Sequence, residues 1–147
     1  MPTERDYLPA LRFPALTRVY DPLVRLTTRE GHFKRLLIEQ AAPMPGQRVL
    51  DLGCGTGTLA IELKRTEPGA EVAGLDADPE MLERARAKAE DAGVELGLDE
   101  GYSTELPYRE RSFDLVLSTL FFHHLDPEPK RGTIVEIARV LRPGGEL

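Results

Sequence analysis

Residues 49–59 read Val-Leu-Asp-Leu-Gly-Cys-Gly-Thr-Gly-Thr-Leu, and this stretch limits the fold more than any other. Residues 48–52, Arg-Val-Leu-Asp-Leu, have the composition of a short buried strand. Gly53, Gly55 and Gly57 follow at alternate positions, and Leu59, Ala60 and Leu63 then recur at helical spacing. The order is strand, glycine loop, helix. Glycine reaches positive φ without steric cost and lets a ligand come close to the backbone. The helix start adds N–H groups without intrahelical partners and the positive end of a dipole. An adenosine-type ligand with a polar or anionic tail suits that geometry.

Residues 55–60, Gly-Thr-Gly-Thr-Leu-Ala, also match the dinucleotide fingerprint G-x-G-x-x-G/A. The register argues against that match. A dinucleotide site has an apolar strand running straight into the first glycine of the fingerprint. Here Asp51 interrupts the strand, and Gly53 and Cys54 lie between strand and match. A glycine-rich turn with no ligand is the bland alternative.

The 147 residues are enough for one domain with an ordinary core. With 19 basic and 25 acidic side chains the net charge is −6, which disfavours nucleic acid as a substrate. The single cysteine, Cys54, rules out an internal disulfide framework and reads as a small filler of the loop. No run approaches the ~18 apolar residues of a membrane span. The N-terminus lacks the apolar stretch of a signal peptide, so a cytoplasmic location is expected.

Residues 1–45 are expected to form a helical cap. Within it, Thr27-x-x-Glu30 has capping-box form, and Phe33, Leu36, Leu37, Gln40 and Ala41 mark a helix face. Residues 46–147 read as the core. A helix over 58–66 stops at Pro68-Gly69, and residues 71–76 form a second strand ending in Asp76. That acid, about 20 residues past the glycines, is placed to accept from ribose hydroxyls. Asp78-Pro79 opens the next helix as N-cap and first position, with Met81, Leu82, Ala85 and Ala89 inward and Gly93 at its end. Asp76 has a capping alternative, but Asp78 already fills that role. A third strand is expected at 94–98, a loop at 99–107 and a fourth strand at 112–119. A helix over 130–141 points Ile134, Ile137, Ala138 and Leu141 inward, and Arg142-Pro143-Gly144-Gly145 turns the chain toward a fifth strand. Alternating strands and helices predict a Rossmann-like, doubly wound parallel α/β sheet with its ligand at the carboxyl ends of the strands.

Asp51-Leu-Gly-Cys-Gly-Thr-Gly resembles motif I of class I S-adenosylmethionine-dependent methyltransferases. Further stretches resemble the same family in order: Gly74-Leu-Asp-Ala-Asp-Pro-Glu-Met-Leu, Glu105-Leu-Pro-Tyr, Ser112-Phe-Asp-Leu-Val, Phe122-His-His-Leu and Arg139-Val-Leu-Arg-Pro-Gly-Gly. Together they look like the small-molecule branch that contains quinone, sterol and lipid-headgroup methyltransferases. The resemblance implies direct in-line methyl transfer from S-adenosylmethionine to a small-molecule acceptor, leaving S-adenosylhomocysteine and requiring no metal. It implies that Gly53, Gly55 and Gly57 let the backbone pass close to the cofactor. Asp51 would sit near the methionine ammonium and Asp76, with Ala77 beside it, would hold the ribose. The backbone around Ser103 would meet the adenine, and Ser118 would present its backbone to the methionine part. Tyr20 in the cap would cover the cofactor, with a packing tyrosine as its alternative. Where many relatives have an acid for the adenine amino group, this chain has Tyr102; Asp99 is a conceivable substitute.

His123 and His124 follow the fourth strand. A metal site would need further ligands, and adjacent residues rarely point the same way. Structural packing or capping is one reading. The family-like one lines the transfer pocket, with His124 orienting the acceptor or taking its proton. Two other classes remain: a methyltransferase-like protein that binds cofactor without catalysis, and a nucleotide-dependent oxidoreductase. The chain stops two residues after Gly145, short of the strands with which the family continues. A truncated or naturally abbreviated chain is therefore expected, with an exposed edge on the fourth strand, self-association through that edge and weak or absent methyl transfer.

Overall fold

The computed structural model describes residues 30–119 and 127–147. The chain divides after Ala42 into two compact units. Helix α1 (Glu30–Ala41) lies in the first. Its buried positions are Lys34 and Ile38, with Leu37 and Ala41 half-buried, while Phe33 and Leu36 are exposed. The expected apolar face is thus rotated by about one position, and the Lys34 stem is apolar enough to take a place on it.

The second unit is built on one parallel sheet of five strands: β1 (Arg48–Leu52), β2 (Glu71–Asp76), β3 (Gly97–Glu100), β4 (Phe113–Leu117) and β5 (Leu141–Glu146). Their order in space is β3-β2-β1-β4-β5. Helices α2 (Thr58–Thr66), α3 (Pro79–Ala92) and α4 (Pro127–Val140) flank it. This is the Rossmann-like, doubly wound fold that the alternation of elements predicts. The strand order reverses between β1 and β4, so a crevice opens beyond their carboxyl ends. Val49, Leu50 and Leu52 of β1 are fully buried, as a central parallel strand covered on both faces requires. On one face Leu50, Leu52, Leu75 and Phe113 pack with Ile137 and Val140 of α4. The expected inner face of α3 holds in full: Met81, Leu82, Ala85 and Ala89 are all buried.

Four expectations fail locally. The third strand begins at Gly97 and includes Asp99 and Glu100, because Val94 still belongs to the end of α3. Gly93 N–H donates to Glu90 O and Val94 N–H to Ala89 O, both at 3.0 Å, closing a Schellman motif around Gly93 at φ 67°. Helix α4 starts at Pro127, and its buried positions are Thr133, Ile137 and Val140; Ile134 is half exposed and Ala138 exposed. The hydroxyl of Thr133 is paired, so a polar residue can face inward and turn the helix by one position. The turn at Arg142–Gly145 is a bulge inside β5, which is already paired at Leu141 with Phe113. A Cβ at Gly145 would stand 2.9 Å from Arg142 O and 3.1 Å from Asp114 O, so the bulge admits only glycine there. Finally, β4 is not an edge. It pairs with β1 on one side and β5 on the other, so the exposed fourth-strand edge proposed for self-association does not exist.

Candidate cofactor site

The carboxyl ends of β1 and β2 are tied together before the glycine loop begins. Gly53 N–H and Cys54 N–H both donate to Leu75 O, at 2.8 and 2.9 Å. Gly53, Gly55 and Gly57 all have positive φ, at 71°, 55° and 80°. The last two differ in surroundings. A Cβ on Gly55 would meet nothing within 4 Å, whereas one on Gly57 would stand 3.0 Å from Ala85 Cβ. Gly55 therefore borders open space, and Gly57 lets α3 pack against the loop. Gly57 is also the N-cap of α2; it supplies no side-chain cap, and the first turn of α2 carries no acid.

Cys54 lies over Gly74, where a Cβ would stand 2.9 Å from its sulfur. Burial, helped by the negative charges of Asp51 and Asp76, pushes its thiol far above the ordinary value. A thiol so suppressed is a packing group rather than a nucleophile.

Asp76 ends β2, and its carboxylate grips the loop. Oδ2 accepts from Gly55 N–H at 2.8 Å and Oδ1 from Asp78 N–H at 2.9 Å. Asp78 itself caps α3 by accepting from Glu80 N–H at 2.9 Å. Burial raises the Asp76 pKa, opposed by the N–H groups of Asp78 and Gly55. A carboxylate offers about four acceptor sites, so capacity remains beyond these two bonds. Ala77 is half-buried between Asp76 and the cap.

Gly101 N–H donates to Asp76 O at 3.1 Å, which brings the 101–107 loop beside the end of β2. Tyr102 in that loop is 44 % exposed. Ser103 is buried, and its hydroxyl is 2.7 Å from that of Thr133 on α4, so its side chain serves the fold. Asp99, the conceivable substitute for the adenine acid, accepts from the Tyr108 hydroxyl at 2.8 Å through Oδ2. On the other side of the crevice, Asp51 is 1 % exposed and pairs in register with Gly74 and Leu117. Ser118 follows Leu117, and its buried Oγ has no hydrogen-bond partner among the described residues. Tyr20, His123 and His124 lie outside the described residues.

The structure thus gathers Asp51, Gly53, Gly55, Gly57, Asp76, Ala77, Tyr102, Ser103 and Ser118 along the carboxyl ends of β1, β2, β3 and β4. The contacts that Gly74 and Ala85 make with the loop, and those of Lys88 with Thr56 and Thr58, were not legible in the sequence. They depend on how α3 and β2 meet the loop, and no spacing in the chain records that.

A parallel sheet with a glycine loop at its switch point and an acid ending the adjacent strand defines a Rossmann-like α/β protein. Residues 49–145 match the methyltransferase domain family, and the chain belongs to that family. An uncharacterized methyltransferase of Synechocystis sp. is 40% identical over 131 residues, covering 86% of this chain and 59% of that protein. A demethylmenaquinone methyltransferase of Thermus thermophilus is 38% identical over 137 residues, covering 92% of this chain and 61% of that protein. The chain therefore spans about three fifths of the length of these curated relatives. Among solved structures, the YcgJ protein of Bacillus subtilis superposes with a TM-score of 0.71 at 34% identity, over 78% of this chain and 48% of that one.

Proposed function

We propose that the crevice binds S-adenosylmethionine and its product S-adenosylhomocysteine, and that the protein transfers a methyl group to a small, quinone-like acceptor. The observation that carries the reading is Asp76. Its carboxylate fixes the glycine loop through Gly55 N–H yet keeps acceptor capacity toward the open side of that loop. The names of relatives such as the Thermus demethylmenaquinone methyltransferase support a quinone acceptor.

The residues present fit such a cofactor. Asp76 has acceptor sites for ribose hydroxyls, with Ala77 beside it. The open side of Gly55 leaves room for close approach, and the buried Ser118 Oγ, without a partner among the described residues, is free to meet a polar group. Asp51 brings negative charge to the end assigned to the methionine ammonium. Tyr102 and the backbone at Ser103 would flank the adenine. When bound, the cofactor supplies a methyl already activated by its sulfonium, so the protein contributes proximity and alignment. His124 as the group that orients or deprotonates the acceptor, Tyr20 as a cover and residues 1–45 as a helical cap belong to this proposal. So does a cytoplasmic location. Among the described residues no helix is long and apolar enough to cross a membrane.

Calorimetric titration with S-adenosylmethionine, S-adenosylhomocysteine and NADH tests the binding. The first two should bind and NADH should not; the reverse pattern would refute the site. Formation of S-adenosylhomocysteine with a demethylated quinone tests transfer. Binding without turnover across a panel of acceptors would favour a cofactor-binding role without catalysis.

A further inference from the structure

We propose that Lys88 of α3 is a positioning residue that sets the shape of the glycine loop from behind; this rests on the crevice being the cofactor site. Lys88 Nζ donates to Thr56 Oγ1 at 3.0 Å and to Thr58 Oγ1 at 2.7 Å. Thr56 is a buried member of the loop, and Thr58 is the first residue of α2. One ammonium thus spans the Gly57 hinge, gripping the residue on each side of it. One turn earlier on the same helix, fully buried Ala85 faces Gly57, whose missing Cβ would stand only 3.0 Å away. Ala85 and Lys88 are three apart, on one face of α3. They form a back wall that α3 presents to the loop, steric at Gly57 and polar at Thr56 and Thr58.

The electrostatics separate this from simple stabilisation. Lys88 places a positive charge at the positive end of the α2 dipole, where a cation is unfavourable. Gly57 provides no side-chain cap that would reward the helix in another way. The ammonium there donates to two hydroxyls, and what the loop gains is a fixed geometry. Asp76 holds the same loop at Gly55 from the other direction. The loop is thereby pinned at 55, 56 and 58 before any ligand arrives, and preorganisation of this kind raises affinity by lowering the ordering cost of binding.

The test uses the full chain and S-adenosylhomocysteine as the probe. Lys88→Met keeps the length of the stem and removes the donors. Its affinity should fall about tenfold, while the melting temperature of the ligand-free protein stays within about 3 °C of the parent. Lys88→Arg, which can still donate to both hydroxyls, should restore most of the affinity. In Thr56→Val/Thr58→Ala, adding Lys88→Met should cost nothing further. Amide exchange in the ligand-free Lys88→Met protein should quicken at residues 55–58 and stay unchanged in β1 and β2. A parent that binds the probe with Lys88→Met within twofold of it overturns the role of Lys88 and leaves the site standing. A parent that does not bind the probe overturns both. Exchange that quickens equally throughout the sheet makes Lys88 a general stabiliser and refutes the positioning role.

Discussion

The crevice over the carboxyl ends of β1, β2 and β4 and the flank built by α4 use polar side chains in opposite ways. On the α4 flank every named group ends on another protein group. Glu136 accepts from Leu106 N–H at 2.7 Å and from Arg139 at 2.8 and 2.9 Å. Arg139 also donates to Tyr108 O at 2.8 Å and Leu106 O at 3.0 Å. Ser103 meets Thr133, and Tyr108 meets Asp99. In the crevice the inventory stays open: Asp76 keeps acceptor capacity, α2 begins without a side-chain cap, and the buried Ser118 hydroxyl has no partner among the described residues. A closed network holds a loop in place. An open one leaves groups that a ligand can satisfy. The two regions share a sheet, so they can be probed by the same kind of substitution with different readouts.

The largest effect is expected at the hinge between them and α3. Gly57→Val forces a β-branched residue to φ 80° and drives a Cβ to 3.0 Å from Ala85 Cβ. Strain and overpacking together should cost about 2–4 kcal/mol of stability, read from urea unfolding. Gly55→Val has the strained φ of 55° but open space, so it should cost less stability while abolishing cofactor binding. Equal loss of stability in both would erase the distinction between a packing glycine and a site glycine.

Next comes Asp76→Ala. Charge-assisted contacts to ribose hydroxyls are worth roughly 1.5–3 kcal/mol, so cofactor affinity should fall about tenfold or more. Because burial raises the Asp76 pKa, protonation should weaken binding by the parent at higher pH than an ordinary aspartate would. Asp76→Asn should lack that acid-side fall. A twofold effect or less for Asp76→Ala would move the ribose elsewhere.

The fold was legible because its signals are local. Asp78-Pro79 caps α3, Gly93 ends it, and the run at 48–52 carries a central strand; each needs only neighbouring residues. The crevice was legible through the glycines and Asp76 for the same reason. The α4 face was misread because Thr133 points inward, and that is tolerable only once Ser103, thirty residues away, supplies its partner. The start of β3 was misplaced because Val94 closes a helix cap that composition alone does not reveal. The bonds of Glu136 to Leu106, of Arg139 to Leu106 and Tyr108, and of Lys88 to Thr56 leave no trace in the sequence, since only the folded chain brings those loop residues near.

The serine pair gives the third test. Ser103→Ala strips the partner from the fully buried Thr133 hydroxyl and should cost about 1–2 kcal/mol of stability with cofactor affinity little changed. Ser118→Ala removes a buried hydroxyl that bonds nothing described, so stability should hold or rise slightly. Affinity for S-adenosylmethionine should fall if the hydroxyl answers to the ligand. A stability loss at Ser118 equal to that at Ser103 would place it in the closed network.

The smallest effect concerns pH. Arg139 beside Glu136 lowers that carboxyl below its ordinary value of 4.5, aided by Leu106 N–H. A group whose folded pKa is lowered contributes stability in full above its unfolded value, and loses it as pH falls through the folded one. Glu136→Gln removes that contribution but keeps an acceptor for Leu106 N–H. The pair sits near the surface, with side-chain exposures of 34% for Arg139 and 16% for Glu136, so the gain is discounted for solvent screening to under about 1 kcal/mol at neutral pH. Urea midpoints of parent and variant should differ at pH 7 and converge as pH drops below 4.5. Asp76 has the opposite sign, since its raised pKa makes the ionised form the costly one. Asp76→Asn should therefore gain on the parent as pH rises, where Glu136→Gln loses. If both variants shifted with pH in the same direction, the contrast between a closed flank and an open crevice would fail on its electrostatics.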